Sequence, residues 1–544
     1  MSTPHLERSL HELLIDIGKG RISRRGVMAR GAALGLSAPV VVALAARVPA
    51  PVSAQEATPA ADVTMGGILK VGLQADPTAL DPQTQSLTAI WRVVEHIYEG
   101  LTRVRPDLSI EPSLAESWEI AEDGLTYTFA LRQGVTFHDG TPLTAGDVKF
   151  TFERLVDPAT ASPSAADLAF MDTVEAPDDA TVVVTLTQPD ASFLATLTQP
   201  SVGIMSEAFV TANDGDVSQT ALGTGPFMFN EYVPNTRVVL DKNPSYWESG
   251  LPYVDGIEMI IAPDDTSRTS AVVTGTVDLI EYAPLRDIEL LEQDPALKLA
   301  GDSNTNIRFI GVNLEKEPLN ILEVRQAIAA ALDREAILGP AVFGHGTPTT
   351  VLFPPGYWAT LDAEIPAADL DRARQLLADA GYPDGFETTI TSWSQYSFLS
   401  APAVVIQESL AQIGIMAELN LVENATMIEQ VHGPTRDYDL AVTGTSGYVD
   451  PMNVIQDFGT GASGNLANYS NERVDELIAA GIASTDQAER AEIYQEIQQI
   501  LLDDLPWINL FIANQYEAMK TDVMGYIHIP TGSGVSYKVT WLDR

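Results

Sequence analysis

One stretch of the chain changes from alternating to helical spacing of its apolar residues, which predicts a small α+β unit. Leu125 to Arg132 alternates and is rich in Thr, Tyr, Phe and Leu, as is typical of a half-buried strand. A turn at Gln133-Gly134, followed by Val135 to Phe137, predicts a hairpin with that strand. Thr144 then begins a helix, and Asp147, three residues later, is its capping-box partner.

Downstream of Asn304 the apolar pattern alternates between strands and helices. The predicted strands are Ile307–Asn313, Ile415–Val422, Asp437–Val442 and Trp507–Ile512. The predicted helices lie in Leu319–Leu338, Leu370–Ala380, Ala401–Gln412, Asn471–Ala483 and Gln487–Asp503. Alternation of this kind predicts a mixed α/β lobe in which helices cover a sheet.

The first 54 residues have the pattern of an export signal. The pair Arg24-Arg25 lies in a basic segment of the twin-arginine type. The apolar run from Gly31 to Ala46 follows, and it is too short and too rich in Ala and Gly for a stable membrane span. Val52-Ser53-Ala54 is a small-x-small cleavage sequence, so we expect the mature chain to begin at the next residue. A cytosolic amphipathic helix is the alternative.

Length and composition bear on the number of domains, on the partners and on membrane attachment. A chain of 544 residues is too long for one hydrophobic core, so two or three domains are expected. Asp and Glu number 74 against 31 Lys and Arg, a net charge of −43 that disfavours nucleic acid and anionic membrane as partners. The acidity serves solubility or favours cationic solutes. Because a lipoprotein needs a cysteine at its cleavage site and the chain has none, we expect the exported protein to be extracytoplasmic but not a lipoprotein.

Sequence motifs give no sign of catalysis. There is no HExxH, no G-x-S-x-G and no Walker motif, and the seven histidines have no metal-ligand spacing. The segment GTGPF at 223–227 lacks the third glycine and the Lys-Ser/Thr of a phosphate loop. Without cysteine, thiolate nucleophiles and iron–sulfur clusters are excluded. We therefore expect no catalytic residues, no metal and no cofactor, although a site assembled from distant segments leaves no such motif.

Several motifs, taken in order, resemble one family. They are LDP at 80–82, HIYEGL at 96–101, LAESWE at 114–119, LRQGVTFHDGTPLTAGDVKFTFERL at 131–155, GTGPF at 223–227, PSYW at 244–247 and YVDGI at 253–257. This set resembles the extracytoplasmic solute-binding proteins of family 5, which include the oligopeptide, dipeptide and nickel receptors of ABC importers. The resemblance covers roughly residues 66–515.

The resemblance implies an α/β type II periplasmic-binding-protein fold, with two lobes, a hinge and an extra α+β domain. The implied division of the chain is a signal peptide (1–54), a linker (55–66), the first part of lobe I (67–111), the extra domain (112–222), the second part of lobe I (223–304), lobe II (305–508) and the last part of lobe I (509–544). Two strand connections near 304 and 508 would act as the hinge.

The resemblance also implies a function. The protein would be a monomer that captures oligopeptides or dipeptides between its lobes by hinge closure and delivers them to an ABC permease and ATPase. A receptor for a nickel chelate, an opine or an oligosaccharide is the alternative, and an exported hydrolase is a further one. The nickel alternative requires histidines in the cleft, for which His345 and His432 are the candidates by position.

The candidate binding loop is TGTSGYVDP at 443–451. Its glycines expose backbone groups, Thr445 and Ser446 offer hydroxyls, and Tyr448 offers a stacking face with a polar tip. A plain solvent loop is the alternative. Peptide receptors of the family carry an acidic residue shortly before the D-P pair to hold the peptide ammonium. Here that position is Gly447, so either Asp450 substitutes or the solute lacks a free amine.

Four further residues are candidates for contact with the solute. Trp393 and Tyr396 follow a predicted strand in the polar segment TSWSQYS, where aromatic side chains could line a pocket. Thr88 and Trp91 begin the predicted first helix of lobe I, where relatives of the resembled family touch their solute. Ordinary core or surface packing is the alternative for all four.

Overall fold

Two long antiparallel strands, Leu297–Val312 and Trp507–Lys520, join the two halves of one large sheet. They belong to a computed structural model that describes residues 63–85, 87–433, 435–445 and 447–544. The predicted export signal with Arg24 and Arg25, and the candidate Ser446, lie outside the described residues. No helix within the described ranges is long and apolar enough to span a bilayer.

The described part contains nineteen strands. In chain order they are β1 (Ile68–Leu73), β2 (Thr102–Val104), β3 (Ile110–Pro112), β4 (Ala115–Ile120), β5 (Thr126–Leu131), β6 (Met171–Asp178), β7 (Thr181–Leu186), β8 (Phe227–Val233), β9 (Arg237–Lys242), β10 (Gly256–Ile261), β11 (Leu279–Ile280), β12 (Leu297–Val312), β13 (Gly346–Pro348), β14 (Glu387–Trp393), β15 (Met416–Val422), β16 (Leu440–Gly444), β17 (Trp507–Lys520), β18 (Val523–Met524) and β19 (Trp541–Leu542).

Fourteen α-helices connect the strands of the described residues. They are α1 (Thr88–Val94), α2 (Ala145–Val156), α3 (Phe193–Thr196), α4 (Glu207–Ala212), α5 (Asp265–Val273), α6 (Ile288–Glu292), α7 (Leu322–Ala331), α8 (Arg334–Val342), α9 (Leu370–Asp379), α10 (Ser397–Ala411), α11 (Asn424–Met427), α12 (Met452–Ile455), α13 (Glu472–Ala483) and α14 (Gln487–Asp504).

The large sheet has the strand order β15-β14-β16-β12-β17-β11-β1-β10-β9-β8, with β13 also paired to β17. Lobe II is built on β13 to β16 together with the second half of β12 and the first half of β17. Lobe I is built on β1, β8 to β11 and the remaining halves of β12 and β17. The register of the β12–β17 pair shifts between Ser303 and Ile307, at the crossing between the lobes.

Lobe II has a separate apolar core on each face of its sheet. Ile310 and Val442 belong to the core that α7 to α10 cover, whereas Phe309 and Trp507 belong to the core that α13 and α14 cover. The parallel strands of such a sheet must be covered on both sides, which explains the apolar run Leu-Ala-Val in β16. Only the edges of the sheet stay available for a polar site.

The extra domain is a four-stranded antiparallel sheet, β4-β5-β7-β6, with α2 packed on it. The predicted capping box is confirmed, because the Thr144 N–H donates to Asp147 Oδ2 at 3.0 Å. The predicted hairpin of β5 with residues 135–137 is wrong. β5 pairs with β4 and β7 instead, and 135–137 forms only an isolated bridge from Thr136 to Pro142, because both edges of β5 are already occupied.

Candidate functional site

The candidate site is the cleft between the facing edges of the two half-sheets. β14, β15 and β16 run in the direction of β17, which continues into lobe I, so their carboxyl ends face lobe I. β1, β10 and β11 are parallel to one another and opposite to β17, so their carboxyl ends face lobe II. Ligands of open α/β sheets bind outside the carboxyl ends of the strands. Both lobes therefore present a ligand-binding edge to the same cleft.

The predicted binding loop 443–451 follows β16 at this edge and is tied to the start of β12. The Thr445 N–H donates to the Ile307 carbonyl at 3.0 Å, and the Ile307 N–H donates to Thr445 Oγ1 at 3.2 Å. The Tyr448 N–H donates to Thr305 Oγ1 at 3.0 Å. These bonds fix the loop before any solute arrives, and they use the hydroxyl oxygen of Thr445 as an internal acceptor.

Gly447 lies where this loop comes close to the C-terminal segment of the chain. A Cβ at this position would lie 3.2 Å from Asn306 Oδ1, 3.4 Å from Thr305 Oγ1 and 3.6 Å from the Thr531 carbonyl. Only the contact with Asn306 is tighter than usual, so a Cβ would require a small shift of the Asn306 side chain. The position at which the resemblance predicts an acidic group is therefore a glycine with close neighbours.

The Tyr448 side chain is buried between the loop and the apolar core of lobe II. We expected its ring to offer a stacking face, but the structure buries the side chain to 2% exposure against Phe353 and Tyr357, because the apolar core of lobe II extends under the loop. Its hydroxyl donates to the Leu352 carbonyl at 3.3 Å. Tyr357 in turn donates to the Val449 carbonyl at 2.6 Å. The aromatic rings therefore hold the loop in place.

Replacement of Tyr448 by Phe should lower the free energy of unfolding by about 1 kcal/mol, because the Leu352 carbonyl loses its donor. Solute affinity should stay within about twofold, since a change of 0.4 kcal/mol corresponds to that factor. Urea denaturation and calorimetry measure the two effects. Tyr396→Phe is the control, because that ring is 42% exposed and its loss of a hydroxyl should leave stability unchanged. A large loss of affinity with unchanged stability would show that Tyr448 contacts the solute.

Asp450 has a partner within the protein. Its side chain is 8% exposed, and Arg490 Nη2 of α14 donates to Asp450 Oδ1 at 2.6 Å. The same carboxylate accepts from the Met452 N–H at 2.9 Å, which orders the first turn after the loop. Arg490 is held in turn by the hydroxyl of Tyr494, at 3.0 Å from Nε. The carboxylate that we considered for a solute ammonium is thus occupied by a guanidinium.

Aromatic side chains line the lobe II edge beside the loop. Trp393 and Tyr396, predicted as candidates, lie together with ring centroids 6.1 Å apart. The Trp393 Nε1–H donates to Asn424 Oδ1 at 3.1 Å, and Tyr396 stacks obliquely on Phe398 at 5.5 Å. Partly exposed rings at a carboxyl edge offer apolar and stacking surface to a ligand.

Arg308 lies at the same edge and was not singled out by the sequence motifs. Its Nη1 donates to the Thr445 carbonyl at 3.2 Å, and its guanidinium lies 5.1 Å from the ring centroid of Phe398. The Nε is buried without a hydrogen-bond partner among the described residues. Burial lowers the pKa of Arg308 to about 10, and no carboxylate opposes this. A signal was present, because Arg308 interrupts an apolar strand pattern between Ile307 and Phe309.

The lobe I candidates lie on α1. Thr88 is exposed at the first helical residue, whereas Trp91 is half-buried and packs against the lobe I core. The Trp91 Nε1–H is buried without an acceptor among the residues that the structure describes. The structure thus separates these two residues from the lobe II candidates and places them in the other lobe.

A buried acidic cluster lies at the carboxyl end of β11. Burial raises the pKa of Glu281 to about 7, with Arg92 of α1 opposing the rise and Glu95 and Glu517 adding to it. The Tyr537 hydroxyl donates to Glu281 Oε1 at 2.8 Å, and the other oxygen has no partner within the described ranges. Ionisation of Glu281 is therefore unfavourable in the folded protein.

This cluster predicts a pH dependence of stability. The folded pKa of Glu281, about 7, lies above the ordinary value of 4.5, so the folded state holds the proton over that interval while the unfolded state releases it. The free energy of unfolding should therefore fall as pH rises from about 4.5 to 7 and stay level above that. Glu281→Gln should reduce this loss by on the order of 1 to 3 kcal/mol.

Urea denaturation at several pH values measures this effect. Glu289→Gln, which removes an exposed carboxylate from the same lobe, is the control and should follow the parent protein. Identical pH profiles of Glu281→Gln and the parent would contradict the assignment.

The described residues contain no group of three or more His, Asp or Glu side chains placed to hold a metal ion. His432 lies near Trp393, with ring centroids 5.9 Å apart, whereas His345 contacts Tyr516 of β17. The two histidines named for a nickel site thus contact different parts of the fold.

Two lobes joined by crossing strands, with ligand-binding edges facing one cleft, define a solute-binding protein of the periplasmic-binding type. The profile of "bacterial extracellular solute-binding proteins, family 5 Middle" matches residues 109–465. Glutathione-binding protein GsiB of Salmonella typhi is 30% identical over 472 residues, covering 85% of this chain and 92% of that protein. The chain belongs to this family, so the predicted family membership is confirmed.

Comparison with solved structures also finds periplasmic binding proteins among the similar chains. PBP AgaA of A. tumefaciens R10, in complex with agropinic acid, is 32% identical with a TM-score of 0.75 over 88% of this chain and 99% of that chain. The ABC transporter-associated periplasmic binding protein DppA of Helicobacter pylori, in complex with the peptide STSA, is 29% identical with a TM-score of 0.75 over the same shares. The predicted fold class is confirmed, and the protein is a binding protein and not an enzyme.

Proposed function

We propose that this protein is the extracytoplasmic receptor of an ABC importer and captures short peptides between its lobes for delivery to a membrane permease. The observation that carries the proposal is the pair of carboxyl edges that face one cleft across two crossing strands. Rotation about such a crossing closes the lobes around a solute, and the permease then recognises the closed form. The protein itself acts as a monomer and performs no reaction.

Peptides fit the edge that lobe II presents. The start of β12 and the loop after β16 offer backbone groups, and extended peptides bind such edges through main-chain hydrogen bonds. Trp393 and Tyr396 add surface for side chains of varied shape. DppA, a relative, was solved with a peptide, and GsiB is named for glutathione, which supports a peptide-like solute.

A non-peptide organic acid is the second candidate. Gly447 supplies no carboxylate for a peptide ammonium, and Asp450 is paired with Arg490. The AgaA complex contains agropinic acid, which shows that a relative of similar identity binds a solute of another class. Both candidates keep the fold and the transport role.

Native mass spectrometry of the protein purified from its own bacterium tests the proposal. We expect one small solute per chain and, after denaturation, short peptides in the released fraction. A released sugar or metal chelate would overturn the peptide assignment and leave the receptor role intact.

The chain mass should correspond to removal of residues 1–54, and a full-length mass in cells that lack the twin-arginine translocase would support the proposed export route.

A further inference from the structure

Arg308 is a partly buried arginine that has no carboxylate partner among the described residues. Four buried or nearly buried arginines of the described residues form ion pairs, which are Arg92 with Glu95, Arg154 with Asp81, Arg268 with Asp265 and Arg490 with Asp450. Arg308 forms no ion pair with a described residue, and its nearest polar contacts are backbone carbonyls. An unpaired guanidinium out of water is unfavourable unless a ligand compensates it.

A buried arginine without a carboxylate partner is not by itself a ligand-binding site, as Arg334 shows. Arg334 also lacks an acidic partner, but its Nε donates to the Asn509 carbonyl at 2.8 Å inside lobe II, where its side chain is only 5% exposed. Arg308 is more exposed and lies at the carboxyl edge, next to the loop after β16. Its position, and not its burial, makes it available to a solute.

The surroundings of Arg308 favour a negative charge. Its guanidinium lies over Phe398, the second residue of the fifteen-residue helix α10. The N–H groups of Ser397 and Phe398 make no hydrogen bond to a described residue, and the helix has no side-chain cap. Free amides at a helix N-terminus add to the attraction of an anion that Arg308 already exerts.

The loop after β16 offers no negative charge at the positions considered for a solute ammonium. Gly447 has no carboxylate and that of Asp450 is paired with Arg490, so neither loop position considered for a solute ammonium offers a free carboxylate. The net charge of −43 does not reverse this local preference, because exposed charges beyond about 8 Å are screened at physiological ionic strength. Arg308 therefore supplies a fixed cation beside a loop that offers no free carboxylate at positions 447 and 450.

We infer that Arg308 binds a carboxylate or equivalent anionic group of the solute, and that the protein selects small organic anions whether or not they carry a free amine. This inference rests on the proposed receptor function and specifies its substrate class. In a short peptide the group is the C-terminal carboxylate, which accepts two parallel N–H bonds from a guanidinium. Blocking the N-terminus should be tolerated, and blocking the C-terminus should not.

Calorimetry with three forms of one tripeptide tests the inference. The forms are Ala-Ala-Ala, its N-acetyl derivative and its C-terminal amide. The acid forms should bind within about threefold of each other, and amidation should weaken binding by about 30-fold or more, the usual effect of removing one partner of a charged pair in a binding site. Agropinic acid, a carboxylate that is not a peptide, completes the panel.

Substitutions of Arg308 test the same inference by changing the protein and not the ligand. Arg308→Met keeps the aliphatic contact with Phe398 and removes the charge, so it should weaken the acid forms to the level of the amide. Arg308→Lys keeps a positive charge and should retain part of the affinity. It therefore shows whether the loss in Arg308→Met comes from the missing charge or from a packing defect. Arg374→Gln removes an exposed positive charge of the same lobe and should bind like the parent. Without solute, Arg308→Met should melt at the same temperature or higher, whereas a purely structural arginine would lower it.

The outcomes separate this inference from the function on which it rests. Equal binding of amide and acid, unaffected by Arg308→Met, would overturn the role of Arg308 and leave a peptide receptor. Arg308-dependent binding of agropinic acid without peptide binding would support the anion site and overturn the peptide assignment. Absence of binding by every compound, with no bound solute in the purified protein, would overturn both.

Discussion

Asp450→Ala is expected to lower the free energy of unfolding by about 3 to 5 kcal/mol, because it leaves the Arg490 guanidinium buried without its anion. Both side chains are below 9% exposure, with Nη2 and Oδ1 2.6 Å apart. Burial raises the pKa of Asp450 although Arg490 opposes the rise, so the pair is formed against a considerable desolvation cost. The variant also removes the acceptor for the Met452 N–H, which should loosen the turn after the binding loop.

A double variant serves as the control for this effect. Asp450→Leu with Arg490→Met removes both charges, and replacing a buried ion pair by apolar residues is often close to neutral. The double variant should therefore be clearly more stable than Asp450→Ala in urea denaturation. If Asp450→Ala were instead as stable as the parent but had lost solute affinity, the carboxylate would be a solute ligand and its pairing with Arg490 incidental.

The second large effect is expected at the crossing between the lobes. Gly301 of β12 has φ +141°, and a Cβ there would lie 2.0 Å from the Gln515 carbonyl of β17. Gly301→Ala should therefore cost about 3 kcal/mol or more, from the strained backbone and the forced separation of the two strands. Because the same strands connect the lobes, solute affinity should change with stability.

Gly381→Ala separates the two causes. Gly381 also has a positive φ, +93°, but nothing lies within 4 Å of its Cβ position, so only the backbone strain of about 1 kcal/mol applies. Urea denaturation of both variants should show the larger loss at Gly301. Equal losses would mean that the close contact of the crossing strands does not contribute.

Local features of the fold were readable from the sequence. The capping box of α2 and the bounds of α13 and α14 follow from side chains within a few residues, and the structure places these features within one residue of the prediction. The two crossing strands were predicted much too short. Their central segments, GDSNTN at 301–306 and ANQYE at 513–517, carry polar residues that only the pairing of one strand with the other brings together.

The candidate site was less predictable than the fold for the same reason. Tyr448 has the local pattern of a loop residue, and its burial depends on Phe353 and Tyr357, about ninety residues earlier in the chain. The partner of Asp450 lies 40 residues away on another element. In the sequence Arg308 is visible only as a charged residue within an apolar strand, and the absence of a carboxylate beside it among the described residues is visible only in three dimensions. Sequence motifs located the loop, whereas the charges around it had to be found in three dimensions.

The central claim is that the lobes close on a solute held in the cleft, and a distance measurement between them tests it most directly. The chain has no cysteine, so Ser267→Cys on the lobe I edge and Glu423→Cys on the lobe II edge give two spin labels without background. With Ala-Ala-Ala at a concentration that saturates binding in calorimetry, double electron–electron resonance should show a shift to one shorter, narrower distance. An unchanged distribution at saturation would contradict capture by closure.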